Sequence, residues 1–170
     1  FLLPTYGAFE SPDIQGSVEK MMGYLPPRLR NTTRVFSHFG DLRDAIGTAP
    51  PEGDQVLFLG AGDLDRHAHA FASWQLSKGD AWLAWSDYLQ TRLSKDCILR
   101  MDEPLADKTT LRVGGSATAY AEPSCSEDLR ELVDACSLFD FPFFVMGRGS
   151  NLIVPDDGFA GLALRLVGPA

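Results

Sequence analysis

A glycine-hinged loop between two apolar runs is the feature that most constrains the fold of this chain. The run from Phe141 to Met146, interrupted by one proline, leads into G-R-G-S-N at 147–151, and apolar residues 152–154 follow. This order predicts a strand, a loop and a second hydrophobic stretch. Glycine lacks a Cβ and reaches backbone angles closed to other residues, and successive N–H groups in such a loop suit phosphate oxygens. An ordinary tight turn is the alternative that the motif alone leaves open.

Charge and hydrophobicity exclude two classes of partner. The 170 residues include 15 basic and 23 acidic side chains, a formal net charge of −8. Binding to nucleic acid requires a basic surface, so we expect no nucleic-acid partner, although neutral backbone amides can still hold a phosphate. No apolar run approaches the ~20 residues of a membrane-spanning helix. Without such a run we expect no membrane partner. The first residues, Phe1 to Pro4, lack an initiator Met and a basic region, so we expect that they are not a signal peptide.

The cysteines and histidines predict no metal site. Cys97, Cys125 and Cys136 are odd in number and show no C-x-x-C spacing, which indicates neither a disulfide framework nor a zinc site. Buried or incidental thiols in a reducing compartment are the favoured interpretation. His67 and His69, two positions apart, would point away from each other on a helix.

The first half of the chain alternates strand-like and helix-like segments. The predicted elements are a short helix at 17–24, a strand at 33–37, a helix capped by Asp41, a buried strand from Gln55 to Leu59, and a helix after Gly60-Ala61-Gly62-Asp63 with Ala70, Phe71 and Trp74 inward. This order is typical of an α/β layer with a parallel sheet.

An amphipathic helix is predicted between the two halves. Trp82, Trp85, Leu89 and Leu93 fall at helical spacing between polar residues. The segment is either a connector or the first helix of the second half. We therefore predict three parts: a domain at 1–76, a helical linker at 77–98 and a second domain at 99–170.

The second half predicts a small α+β unit. A strand at 117–123 precedes a helix that is capped by Ser124, with Glu127 completing a capping box, or by Ser126. Leu129, Leu132, Val133 and Cys136 would share one face of that helix. The strand before the glycine loop, a turn at 156–158 and a final strand at 162–166 complete the unit.

Two motifs in this half resemble one enzyme family. They are E-P-L-A-D-K-T-T-L-R-V-G-G at 103–115 and G-R-G-S-N-L-I-V at 147–154, followed by D-D-G-F-A-G-L-A-L-R-L from Asp156. In this order and at this interval they resemble the UDP-N-acetylenolpyruvoylglucosamine reductases, flavoenzymes of peptidoglycan precursor synthesis in the cytoplasm. The resemblance covers about residues 99–166, and the two motifs together are far more specific than either alone.

The resemblance implies the first half of an FAD-binding domain of the vanillyl-alcohol-oxidase type. In the family reaction NADPH reduces FAD, and the flavin passes hydride to the enolpyruvyl group of the UDP-sugar substrate while a protein acid supplies the proton. Carried over, the pyrophosphate loop would be Gly147, Arg148, Gly149, Ser150, Asn151 and Leu152, with Thr109, Thr110 and Val113 beside the cofactor.

Some residues stay unassigned by this resemblance. Arg112 either approaches the flavin or phosphates or forms a structural salt bridge. The family's proton donor and substrate domain would follow Ala170, so no catalytic residue is named, and the oligomeric state is not predicted. The start at Phe1 and the end at Ala170 also lead us to expect a piece of a longer polypeptide.

The first half resembles another enzyme of the same pathway. G-A-G-D at 60–63, after the apolar V-L-F-L, resembles the end of a Mur ligase, in particular the UDP-N-acetylmuramate–L-alanine ligases. This implies part of a Rossmann-like carboxyl-terminal domain at 1–76, with Asp63 either in the motif or capping the next helix. Together the resemblances predict a ligase–reductase fusion. ATP-dependent ligation is the alternative function, and a non-catalytic α/β pair in which both glycine loops are turns is the third.

Overall fold

The structure, a computed structural model, describes residues 1–3, 18–47, 55–60 and 64–166. The chain divides into two compact units, Phe1–Ala84 and Trp85–Ala170. The Gly60–Asp63 motif lies outside the described residues except for Gly60, and so does the proposed cap Asp63.

The described part of the first unit is helical. Its helices are α1 (Val18–Tyr24), α2 (Pro27–Arg30), α3 (Phe39–Ile46) and α4 (Leu64–Leu76), and α5 (Ala81–Gln90) crosses into the second unit. The helices predicted at 17–24, around 41–46 and after residue 63 are confirmed. Ala70 and Phe71 are buried as predicted, and α3 contributes Phe39 and Leu42 to the same unit's buried residues.

Three predictions in this unit are wrong. Gln55–Leu59 forms no strand, and Leu57 and Leu59 are 76% and 80% exposed. The predicted strand at 33–37 is reduced to one parallel bridge between Val35 and Leu2. An apolar run becomes a buried strand only where a neighbouring strand pairs with it, and no such partner lies among the described residues. Asp41 lies in the first turn of α3, after the N-cap residue His38, and does not cap the helix.

The second unit is built on a four-stranded mixed sheet. Its strands are β1 (Ile98–Pro104), β2 (Ser116–Glu122), β3 (Phe143–Met146) and β4 (Phe159–Arg165), in the order β1-β2-β4-β3. β1 and β2 are antiparallel, whereas β4 runs parallel to both β2 and β3. α6 (Ser126–Phe139) connects β2 to β3. The strands predicted at 117–123, before the glycine loop and at 162–166 are confirmed within a mixed α/β fold.

Aromatic side chains join α5, α6 and the segment after α6. Trp85 and Tyr88 of α5 lie with their ring centroids 6.3 Å from Phe141 and 5.8 Å from Phe139. Leu89 is also fully buried. The spacing 85, 88, 89 is that of one helix face, so Trp85 and Leu89 of the predicted stripe, together with Tyr88, form part of the core of the second unit.

The amino end of α6 differs from both predicted caps. Cys125 is the N-cap residue, and its Sγ accepts a hydrogen bond from the Asp128 N–H at 3.5 Å. Ser124 and Ser126 are not the caps, because the Ser124 hydroxyl donates to Asp128 Oδ2 at 2.7 Å and the Ser126 hydroxyl donates to Glu127.

Asp128 ties this helix end to the turn after α5. Its carboxylate, 1% exposed, accepts four hydrogen bonds from the amides and hydroxyls of Ser94 and Ser124, at 2.7 to 3.0 Å. Burial raises the pKa of Asp128, but these hydrogen bonds outweigh it and hold the pKa well below its usual range.

We expect Asp128→Asn to lower the free energy of unfolding by about 2–3 kcal/mol near neutral pH, since the donors lose a charged acceptor. A depressed pKa stabilises the fold above about pH 4, and this stabilisation is lost as the pH falls towards the folded-state value. Urea denaturation near neutral pH and at about pH 3 should therefore show the gap between wild type and variant shrinking in acid. The exposed control Asp96→Asn should change stability by less than about 0.5 kcal/mol, and an equal loss in both variants would contradict this account.

Candidate functional site

The glycine loop occupies the connection between two parallel neighbours in the sheet. Since β3 and β4 are parallel, residues 147–158 must return from the carboxyl end of β3 to the amino end of β4. The other motif, residues 103–115, leads from the end of β1 through a 3₁₀ turn (Ala106–Lys108) to the start of β2. The returning connection passes beside this second motif.

Gly149 is the first point of contact between the two motifs. Its carbonyl oxygen accepts a hydrogen bond from the Thr110 N–H at 3.0 Å. A Cβ built on Gly149 would lie 2.1 Å from the Lys108 carbonyl oxygen, and the residue has a φ of +69°. Both the backbone angle and the close approach require glycine at this position.

Gly114 and Gly115 form the second point of contact. The Gly115 N–H donates to the Pro155 carbonyl at 2.8 Å. A Cβ on Gly114, which has a φ of +107°, would lie 2.5 Å from the Val154 carbonyl oxygen. The two motifs, separated by more than thirty residues in the sequence, therefore form one continuous structure.

A small hydrophobic cluster lies where the two motifs meet the sheet. Tyr120, Met146 and Ala163 contribute from three strands, and Leu105 and Val154 contribute one residue from each motif segment. All five side chains are buried. This burial anchors both motif segments on the sheet, whereas the residues at the tip of the glycine loop are left exposed.

Gly147 differs from Gly149 in its surroundings. It has no positive φ, and a Cβ built on it would meet no atom within 4 Å. Neither the backbone nor the neighbouring protein atoms therefore require glycine at 147. Of the two loop glycines, Gly149 adopts a backbone angle that favours glycine, whereas Gly147 does not.

The polar groups of the loop are available to a ligand. Among the residues that the structure describes, none of the amides from Gly147 to Leu152 donates a hydrogen bond to another protein group. The side chains of Arg148, Ser150 and Asn151 are exposed. A row of amides without a protein acceptor, beside an open glycine, fits an anionic group such as a pyrophosphate.

The residues predicted beside the cofactor take up different positions. Thr109 is buried, and its hydroxyl donates to the Ala106 carbonyl at 3.3 Å, so it holds the 3₁₀ turn. Thr110 is exposed and Val113 is 49% exposed. Arg112 is exposed with a φ of +52°, and within the described ranges it forms no salt bridge.

Sequence reasoning missed an ion pair that supports this segment. Lys108 Nζ lies 2.8 Å from Glu103 Oε1 and 5.0 Å from the centre of the Tyr120 ring. The hydrogen bond and charge of Lys108 hold the pKa of Glu103 below its ordinary value. Opposite charges five positions apart in E-P-L-A-D-K are a signal for this pair, because the 3₁₀ turn brings them together.

A second cluster of polar side chains, at the ends of β2 and β4, could not be predicted from neighbouring residues in the sequence. The Tyr120 hydroxyl donates to Glu122, and Arg165 Nη1 lies 3.4 Å from Glu122 Oε1. Burial and the bond to Glu122 raise the pKa of Tyr120 to about 12, so its hydroxyl stays protonated. Arg165 lies 45 positions after Tyr120 and 43 positions after Glu122, and only the parallel pairing of β2 and β4 brings it to them.

Other site types find no support in the described residues. Within the described ranges, no group of three or more His, Cys, Asp or Glu side chains could hold a metal ion. The helices of the same ranges are also too short or too polar to cross a membrane.

Comparison with curated proteins finds the family that the two motifs indicate. The chain is 46% identical over 67 residues to the UDP-N-acetylenolpyruvoylglucosamine reductase of Synechocystis sp., covering 39% of this chain and 21% of that protein. The Bacillus subtilis reductase is 38% identical over 65 residues, 38% of this chain and 22% of that protein. The reductase of Agathobacter rectalis is 44% identical over 68 residues, 40% of this chain and 21% of that protein. No protein-family model matches the chain.

These likenesses show that the chain contains an oxidoreductase-like region of mixed α/β structure. The particular proteins it resembles are the UDP-N-acetylenolpyruvoylglucosamine reductases, which confirms the resemblance predicted from the two motifs. The chain spans about a fifth of the length of the curated relatives it matches. The ligase resemblance of residues 1–76 stays a prediction.

The contact at Gly149 predicts a clear difference between the two loop glycines. Gly149→Ala should lower the free energy of unfolding by about 2 kcal/mol or more, because a Cβ meets the Lys108 carbonyl and φ is positive. Gly147→Ala, in open space and without a positive φ, should be neutral or slightly stabilising. Thermal denaturation of the two variants measures this, and equal melting temperatures would show that the Gly149 contact does not hold the loop.

Proposed function

We propose that the loop Gly147–Leu152 binds the pyrophosphate of FAD within a UDP-N-acetylenolpyruvoylglucosamine reductase that uses NADPH. The observation that carries this proposal is the row of unpaired amides beside Gly147, on a loop held by Gly149. The names of the relatives support the reaction, and the order of the two motifs supports the cofactor.

In this proposal the chain binds and positions the cofactor. The amides of the loop and the side chains of Ser150 and Asn151 donate to phosphate oxygens, and the open space at Gly147 admits the phosphate close to the main chain. The exposed Thr110 and half-exposed Val113 lie on the segment that contacts the loop and would border the cofactor. Thr109 contributes by holding the turn.

The flavin, when bound, supplies hydride transfer to the enolpyruvyl group, and NADPH supplies the electrons. The protein's part is to orient the cofactor through a loop whose own position is fixed by protein contacts. We assign no proton donor among the described residues. We further propose that this region is the first part of a vanillyl-alcohol-oxidase-type FAD-binding domain.

We expect wild-type protein to bind FAD, and Gly147→Val to weaken that binding by about tenfold or more. The added side chain occupies the space beside the amides, and losing even one charge-assisted hydrogen bond costs about 1.5 kcal/mol or more. Flavin fluorescence titration measures this, and ADP should displace FAD whereas riboflavin should not, because only ADP carries the pyrophosphate.

The matched control is Gly23→Val, which also adds a side chain where a Cβ meets no atom within 4 Å, but in helix α1 of the first unit. It should bind FAD as wild type does. The proposal fails if wild-type protein does not bind FAD, or if Gly147→Val binds it with unchanged affinity.

A further inference from the structure

Arg112 combines a positive φ, an exposed side chain and a guanidinium without a protein partner among the described residues. It has a φ of +52°, a backbone conformation that costs a non-glycine residue about 1 kcal/mol or more. Its side chain is exposed, and within the described ranges it forms neither a salt bridge nor a side-chain hydrogen bond. Lys78, Asp102 and Asp140 also have a positive φ, and Asp140 ends helix α6, where such a conformation is usual.

Arg112 lies in an acidic region of the chain and yet forms no salt bridge among the described residues. Residues 96–166 hold six basic and twelve acidic side chains, so acidic partners are plentiful. Arg100, Lys108 and Arg165 each form an ion pair in this region. Arg112, Arg130 and Arg148 are exposed and without a salt bridge among the described residues, and of these Arg112 and Arg148 lie in the motif segments.

The backbone places Arg112 beside the contact between the two motifs. The Arg112 N–H donates to the Thr109 carbonyl at 3.4 Å, and the neighbouring Thr110 N–H donates to Gly149. Two residues further on, Gly114 packs against Val154. Arg112 is thus held between two points that are fixed to the glycine loop, and its backbone conformation is imposed from both sides.

We propose that Arg112 is a further phosphate-binding residue of this site, which pairs through its guanidinium with the pyrophosphate of the bound dinucleotide. This inference rests on the proposed function and adds a residue to it. A guanidinium offers two parallel donors to a phosphate, and it adds positive charge to a region whose formal charge is otherwise negative. The backbone strain at Arg112 is retained because this position delivers the charge to the loop.

The decisive variant is Arg112→Asn, which removes the charge and tolerates a positive φ. We expect it to bind both ADP and FAD about tenfold more weakly than wild type, and to melt about 2 °C higher because the strain is reduced. Arg112→Lys keeps the charge and should retain part of the affinity. Isothermal titration calorimetry with ADP, FAD and riboflavin, at low and high salt, gives the affinities, and the loss should be smaller at high salt.

The outcomes separate the inference from the proposed function. If Arg112→Asn binds ADP as wild type does, the inference is overturned, whether or not FAD binding changes. If Gly147→Val weakens ADP binding and Arg112→Asn does not, the loop assignment stands without Arg112. If wild-type protein binds ADP in an Arg112-dependent manner but does not bind FAD, the phosphate site stands and the flavin function fails. Wild-type protein that binds neither ligand overturns both.

Discussion

The arrangement of the second unit around the two motifs depends on the approach of Gly149 to the backbone of Lys108 and Thr110. The Thr110 N–H donates to the Gly149 carbonyl, and the space that a Cβ would occupy is filled by the Lys108 carbonyl. The Lys108 segment is itself held by the ion pair with Glu103 and by the Tyr120 ring. A loop that otherwise exposes polar groups is thereby fixed to the segment 103–115, and the second contact at Gly114 and Gly115 and the buried cluster hold both segments on the sheet.

Much of the second unit can be deduced from local patterns in the sequence, and the exceptions are non-local. The strands around the glycine loop and helix α6 could be predicted because their apolar spacing and turn residues agree. The cap of α6 could not, since Ser124 is engaged by Asp128, which is shared with Ser94 some thirty positions earlier. Gln55–Leu59 shows the same limit, because an apolar run becomes a strand only when another strand pairs with it.

The motif of the candidate site could be predicted from the sequence, but the different roles of its individual residues could not. From G-R-G-S-N alone, the two glycines are equivalent. The structure separates them: Gly149 is required by φ and by protein atoms, whereas Gly147 has neither constraint. The adjacent Thr109 and Thr110 are likewise equivalent in the sequence. In the structure the Thr109 hydroxyl is hydrogen-bonded within the 3₁₀ turn, whereas the Thr110 side chain is exposed. Such differences depend on contacts between the segments 103–115 and 147–154, so the sequence of either segment alone does not reveal them.

The acidic second unit can bind a phosphate if its carboxylates already interact with protein groups while the backbone amides of the loop remain without a protein acceptor. Glu103 and Glu122 are paired with Lys108 and Arg165, which offsets the charge of these two carboxylates, and Asp128 accepts four hydrogen bonds from Ser94 and Ser124. The amides of Gly147 to Leu152 have no such partners among the described residues. Neutral donors fixed by a backbone contact attract an anion without a basic surface, so the net charge of −8 is compatible with the phosphate binding that we propose for this loop.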